Sequence, residues 1–368
     1  MFFKYIFLFF AIYFKKKVSL HIKIMKILNN ISLKKYNSFN VNAIAKHFVE
    51  IENEEQIIEL ANKYDFADEK YFILGNGTNT LFAVNFYDGL VIKNNIKHTL
   101  NFDLIDNKNI IITASSGIDY DVLLKEYFNF LNKNNIKTFC GLENLSQIPT
   151  SVGAAIVQNV GAYSIDQTHL LCKCNTINLL NGKQKSFNKN ECNLDYRNSF
   201  FKQNPTHFIT EIQYIIPINN DIPILDYADF SSHTELVSAS PKSIYDYVAS
   251  IRKNKIPSHL DFPNCGSFFK NPIISQELFN EIIKVNSNIM SYKNSNGNVK
   301  LSAANLIENC QLKGFRVGDV GVSSLHSLFI INYANATGKE IITFAEHISD
   351  KVFEKYGVRL VPEVVIVR

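Results

Sequence analysis

The chain lacks most of the signatures that announce a common reaction class. There is no H-E-x-x-H, and the cysteines of "CKC" at 172 and 174 have no second pair at zinc-like spacing, so no metal site is expected. Six cysteines in 368 residues form no disulfide-dense pattern and read as reduced thiols, which points to the cytoplasm. A Walker loop and a G-x-G-x-x-G are both missing, which argues against nucleotide hydrolysis and the standard dinucleotide fold. Ser267 follows a glycine in "PNCGSFFKNP", yet the motif is not G-x-S-x-G, and the nine histidines are scattered, so nothing marks this serine as a nucleophile. Net charge is only +4, with no basic stripe interleaved with aromatics, so nucleic acid is not an expected partner.

A full membrane span is also lacking. "MFFKYIFLFFAIYFKKK" is interrupted by Lys4 and falls short of the roughly 20 apolar residues a span needs. No small-x-small cleavage signature follows it. Met25 opens an ordinary soluble start, so residues 1–24 read as an upstream extension or a misassigned start, with a membrane anchor as the second reading.

What is present is an ordinary globular composition, 46% apolar and 20% charged, long enough for two or three compact units. Helical spacing appears in "NEEQIIELANKY", with Ile57, Ile58, Leu60 and Ala61 on one side, and in "YDVLLKEYFNFL". Ser240 and Pro241 give a helix start for "SIYDYVASIRKNK", with Ile244, Val248 and Ile251 at core spacing. "NATGKEIITFAEHISDKVFEKYG" is a further amphipathic helix. Strands are expected at "KYFIL", "GLVIKN", "NIIITAS", "HSLFIIN" and "RLVPEVVIVR". Helices and strands intermix, which is an α+β pattern.

Four stretches could carry chemistry. "LGNGTNTLF" places Gly75, Asn76, Gly77, Thr78, Asn79 and Thr80 in a loop directly after a strand; glycine lets backbone N–H groups approach a phosphate, and a plain turn is an equal reading. The strand- and loop-rich middle third contains "IPTSVGAAIVQNVGAY", where Ser151, Val152, Gly153, Ala154, Gln158, Asn159, Gly161 and Ala162 are mostly small. Such a run suits a flat ligand lying on the backbone, and tight packing between domains weighs equally. "DYRNSFFK" groups Tyr196, Arg197, Ser199 and Lys202, with an arginine fork suited to carboxylate or phosphate. Glu363 in "VPEVVIV" is a lone carboxylate in an apolar strand, where burial would favour the neutral, hydrogen-bond-donating form.

Taken in order, "LGNGTNTLF", "GLENLSQIPTSVGAAIVQNVGAY", "YRNSFFK", "GSFFKNP" with "SAANLIENCQLKGFRVGDVGV", and "LVPEV" resemble the UDP-N-acetylenolpyruvoylglucosamine reductase family, flavoenzymes that complete UDP-N-acetylmuramate. The resemblance runs from about Leu33 to Arg368, and "ILDYADF" with Tyr227 resembles the longer, tyrosine-loop type. It implies three domains: a two-part FAD-binding module of the vanillyl-alcohol-oxidase type (25–92 with 358–368, and 93–254) and a substrate domain (255–357). The implied cofactors are FAD and NADPH, with the two small-residue stretches along FAD. Ser267 would protonate the substrate carbon, while Arg197 and a protonated Glu363 hold its carboxylate; Tyr196, Tyr227, Lys255 and Asn271 would contact the substrate. No activating histidine is then needed, because a carbanion-like carbon takes a proton even from a weak acid. A monomer without stable membrane association is expected.

Three departures stand out. Thr150 replaces the family's usual glycine, Ile156-Val157 replaces Pro-Ile, and Ser323 stands where histidine is common. The rival readings are an FAD oxidase of alcohols or sugars on the same broad fold, and a binding module that has lost its chemistry; the presence of Ser267, Arg197 and Glu363 favours an active reductase.

Overall fold

The structure, a computed structural model, describes residues 25–218, 220–226, 230, 239–293 and 297–368. Strands β1 (Leu28–Ser32), β2 (Ile44–Ile51), β3 (Tyr71–Leu74) and β5 (Phe86–Asn94) form a sheet of order β1-β2-β5-β3. Helix α1 (Glu54–Lys63) crosses between β2 and β3; the Asn53 side chain caps it by accepting from the Gln56 N–H at 3.0 Å. Ile57 and Leu60 of α1 share a core with Val49, Ile51, Leu90 and Ile92, and Ile58 packs at its edge.

Strand β4 (Thr80–Phe82) leaves this sheet and pairs in parallel with β19 (Val365–Val367), Thr80 opposite Val365. Residues 284 positions apart, Asn79 and Glu363, are thereby brought together. The final strand is shorter than its sequence suggests. Pro362 has no N–H for a ladder and makes only an isolated bridge to Phe269, so Glu363 precedes the strand rather than lying within it.

A second, antiparallel sheet has the order β11-β10-β12-β7-β6, from β6 (Leu100–Ile105), β7 (Asn109–Ser115), β10 (Leu171–Asn178), β11 (Gln184–Asn188) and β12 (His207–Pro217). Helix α2 (Tyr120–Lys133) buries Leu123, Leu124, Tyr127 and Phe128 in one core with Ile112, Ile212 and Tyr214. Each such side chain contributes roughly 1.5–3 kcal/mol. The small-residue stretch, expected among strands and loops, is instead a short helix, α3 (Val152–Gln158), followed by the β8–β9 pair (Gly161–Ala162, Ile165–Asp166). Ser151 caps α3, and Asn159 ends it at φ +45. Helix α4 (Phe200–Gln203) follows Arg197, and α5 (Pro241–Lys255) starts at the expected Ser240 cap.

The remaining chain builds an α+β unit. It holds β13 (Ile273–Ile274), α6 (Gln276–Val285), β14 (Ser291–Lys293), β15 (Val299–Leu301), α7 (Ala303–Asn309), β16 (Arg316–Val317), β17 (Val320–Val322), β18 (Ile330–Asn332) and α8 (Gly338–Tyr356). Helix α8 begins with a Thr337–Glu340 capping box and ends at Gly357, φ +67. Its Ile341, Phe344, Ile348 and Val352 bury beside Val322, Ile330 and Ile331. Among the described residues no helix is long and apolar enough to cross a membrane, and no cluster of His, Cys, Asp and Glu could hold a metal ion.

Candidate active site

A cavity of about 1220 Å³ opens where these units meet. Its lining includes the whole Gly75–Thr80 loop, Ser151, Gly153, Ala154, Gln158, Gly161, Ala162, Arg197, Ser267 and Glu363, but no described residue of "ILDYADF" or "SAANLIENCQLKGFRVGDVGV". Two residues expected along the cofactor are not in the lining. Val152 points into the hydrophobic core, and Asn159 is spent on structure, its Nδ2 donating to Asp195 O at 2.9 Å and its Oδ1 accepting from Gln167 N–H.

The chain's own packing explains part of the smallness. A Cβ on Gly75 would stand 2.9 Å from Ala154 Cβ, and one on Gly153 would stand 2.7 Å from Ser116 Cβ. The small run therefore packs tightly on its neighbours, and the face of α3 left open by that packing lines the cavity. Gly77 adopts φ +70, and a Cβ there would meet Tyr36 O at 2.0 Å.

The charged part of the lining centres on Arg197, a non-glycine residue held at φ +53. Its Nε donates to Glu363 Oε1 at 2.7 Å, while its terminal nitrogens donate to Asn159 O at 3.1 Å and Gly161 O at 2.7 Å. Three of five guanidinium donors are thus engaged by the protein. Glu363, expected as an isolated acid in a strand, is one half of this ion pair. The Gln158 amide and the Asn79 amide donate to its backbone carbonyl, at 3.3 and 3.4 Å.

Ser267 is fixed by strand-like pairing on both sides. It bridges to Phe329, the Phe268 N–H donates to Leu328 O at 2.8 Å, and the Glu363 N–H donates to Phe268 O at 2.8 Å. The serine and the glutamate are consequently parts of one backbone weave.

Tyr196 and Asn271 flank Arg197 without lining the cavity. The Asn271 N–H donates to the Tyr196 hydroxyl at 3.2 Å, and Asn271 Oδ1 accepts from the Ala303 N–H at the start of α7. Lys300 rests 3.7 Å over the Tyr196 ring. Lys255 is exposed near the end of α5 and outside the lining; Arg252 and Lys253 of the same turn are in it. Tyr227 lies outside the described residues.

Lys202, which the sequence groups with Arg197, lines the cavity, whereas Arg252, Lys253 and His326 are lining residues that sequence reading missed. Lys202 donates to Gln158 Oε1 at 2.8 Å and Arg197 O at 3.1 Å, and burial followed by repulsion from Lys270 pulls its pKa down to about 8. Ser323, at the departure from the family's histidine, is buried and accepts from the Leu325 N–H, whereas His326 three residues on reaches the cavity. The His326 Nδ1 accepts from the Leu328 N–H at 3.2 Å, which puts the ring proton on Nε2, and burial lowers its pKa. Of the other departures, Thr150 and Val157 line the cavity and Ile156 is buried in the core.

The donor set fits FAD. Arg197, Lys202, Arg252 and Lys253 outnumber Asp261 and Glu363 in the lining, which favours an anionic ligand such as a diphosphate. The volume exceeds the roughly 300–1,000 Å³ of an ordinary ligand pocket, leaving room for a second molecule.

Comparison with known proteins agrees with this geometry. The sequence profile for the C-terminal domain of UDP-N-acetylenolpyruvoylglucosamine reductase matches residues 257–367, and that for an FAD binding domain matches residues 45–185. The UDP-N-acetylenolpyruvoylglucosamine reductase of Photorhabdus laumondii is 35% identical over 336 residues, 91% of this chain and 95% of its own length. That of Flavobacterium johnsoniae is 33% identical over 350 residues, 93% of this chain and 100% of its own. A solved structure of the Thermus caldophilus reductase covers 94% of this chain and 100% of its own, with TM-score 0.64 and 21% identity, and shares the fold. The chain belongs to the UDP-N-acetylenolpyruvoylglucosamine reductase family, the FAD-dependent oxidoreductases of peptidoglycan precursor synthesis.

Proposed function

We propose that this chain reduces UDP-N-acetylenolpyruvoylglucosamine to UDP-N-acetylmuramate in the cytoplasm, with NADPH as the reductant. The observation that carries this reading is the convergence of Ser267, Arg197 and Glu363 on the cavity that the Gly75–Thr80 loop and α3 also line. FAD, when bound, supplies a hydride taken from NADPH to the methylene carbon of the enolpyruvyl ether.

An enol ether is electron-rich, and it accepts hydride only if the charge pushed onto its carboxylate is stabilised. Arg197 has two guanidinium donors beyond those already engaged, and it is the group proposed to hold that carboxylate. Glu363, bonded to the Arg197 Nε, is proposed to orient the guanidinium toward that carboxylate. As the double-bond electrons return to carbon, the Ser267 O–H gives its proton to the carbon beside the carboxylate, and water reprotonates the serine. Tyr196, Asn271 and Lys255, with Tyr227, are proposed to bind the nucleotide part. The proposed division into 25–92 with 358–368, 93–254 and 255–357 goes with this reading.

The test is a single turnover. The FAD-loaded full-length chain is reduced anaerobically with NADPH and mixed with UDP-N-acetylenolpyruvoylglucosamine. Fast reoxidation with UDP-N-acetylmuramate as product is expected, slowed by roughly a hundredfold to ten-thousandfold in Ser267→Ala. Reoxidation only on admitting oxygen would overturn the reading in favour of an oxidase.

A further inference from the structure

Ser267 donates its proton, on the reading above, to a carbon whose place is set by the bound cofactor. The serine loop must therefore keep a fixed distance from the cofactor loop, although the two lie about 190 residues apart in sequence. The structure holds a compact joint between them.

Ser38 sits in the turn after Tyr36, on whose backbone Gly77 packs. Its N–H donates to Gly77 O at 3.1 Å, and its hydroxyl donates to Asn264 O at 2.6 Å. The Cys265 thiol lies 3.3 Å from Ser38 Oγ and 3.1 Å from Thr80 O. One S–H proton serves one of these acceptors at a time, so the thiol can exchange partners without losing its bond. The neighbouring turn residues brace the joint. Phe39 O accepts from Asn332 Nδ2 at 2.9 Å, and Asn37 bonds both ends of its own turn, at Leu33 O and Val41. Asn264 Oδ1 accepts from the Gly266 N–H at 2.8 Å, shaping the turn at Gly266, φ +74, that presents Ser267.

Thr80 is also the first residue of β4, opposite Val365 of the strand that follows Glu363. The thiol therefore ties the serine loop to the cofactor loop and to the strand pair beside Glu363 at a single carbonyl. Cys265 is buried, which pushes its pKa up to about 12 and keeps it a neutral donor rather than a nucleophile.

We propose that Ser38 and Cys265 are positioning residues for the proton donor: together they clamp the Asn264–Ser267 loop onto Gly77 and Thr80, so that the serine and the cofactor loop move as one body. Both border the cavity, and the role proposed for them is to hold the two loops together rather than to act on substrate. The inference rests on the proposed reductase reaction for its kinetic consequence, but the clamp itself is a matter of geometry.

The two half-reactions separate a positioning role from a general structural one, because only the second uses the serine proton. FAD-loaded, full-length Cys265→Ala, Cys265→Ser and Ser38→Ala are compared with wild type by stopped flow and by backbone amide exchange over residues 264–269. In Cys265→Ala and Ser38→Ala, reoxidation by the enolpyruvyl substrate should slow by about tenfold to a hundredfold, as loosened positioning does. Reduction by NADPH and FAD content should hardly change, and amide exchange over 264–269 should rise. Cys265→Ser, which keeps a donor, should recover most of the rate. Equal slowing of both half-reactions with loss of FAD would overturn the proposal, and so would unchanged reoxidation in Cys265→Ala. If wild type is not reoxidised by this substrate, the functional reading fails and amide exchange alone decides the clamp. Raised exchange with FAD retained then upholds it, and unchanged exchange sinks it.

Discussion

The cavity lining is built in two opposite ways. Along Gly75–Thr80 and α3 it is made by withholding side chains: two backbones approach until a Cβ on Gly75 or Gly153 would collide. Around Arg197, Ser267 and Glu363 it is made by supplying polar side chains, each tied down by an ion pair, a carbonyl or a strand bridge. The first region fails when atoms are added, and the second when atoms are removed. A substitution scan should therefore give inverse patterns in the two halves.

The largest effect should come from changing shape without charge in the second region. Arg197→Lys keeps the cation but loses the planar fork, and turnover should fall about a hundredfold or more while FAD stays bound. Steady-state kinetics beside flavin absorbance per chain would check it; a lysine that works as well would mean that charge alone suffices and the contrast is false. Next comes addition in the first region. Gly77→Ala combines a strained φ with a clash at Tyr36 O, costing about 1–3 kcal/mol of stability and most of the bound FAD. Its thermal midpoint and flavin content should drop together.

A subtler effect sits at the seam, on Lys202. Its ammonium form is full below its pKa of about 8 and is lost as pH rises past it, so affinity for an anionic ligand should weaken above that pH. The limit is about tenfold per pH unit, and a bound anion moves the onset upward. Substrate titrations of the oxidised, FAD-loaded protein should show the slope, and Lys202→Met should flatten it. The smallest effect lies outside both regions. Thr337→Ala removes the α8 cap and should cost about 1 kcal/mol in thermal unfolding, with kinetics unchanged.

How much of this was legible in the sequence depended on locality. Periodicity gave α1, α2 and α8, and the Ser240 cap with periodicity gave α5, because each is decided within a few residues; in the structure Asn53, Asp119 and Thr337 cap the other three. The α3 helix was missed because glycine and alanine carry no amphipathic pattern to read. Many residues of the motifs line one cavity while others do not, and the bonds each makes depend on partners far along the chain. Asn159 looks identical in sequence to a ligand-binding amide, and only its bonds to Asp195 and Gln167 show it to be structural. Ser38 carried no local signal at all. Its meaning comes from Asn264 and Cys265, 226 and 227 residues away.

The parallel pairing of β4 with β19 has a consequence in time. Thr80 and Val365 can meet only after everything between them has been made and folded into a path that returns, so this contact has about as high a sequence separation as the chain allows. Glu363, directly before β19, can reach Arg197 only in a chain synthesised through its last strand. A growing or severed chain can bury most of its cores beforehand and still have no acid beside Arg197. The ion pair and the last ladder are completed by the same stretch of chain.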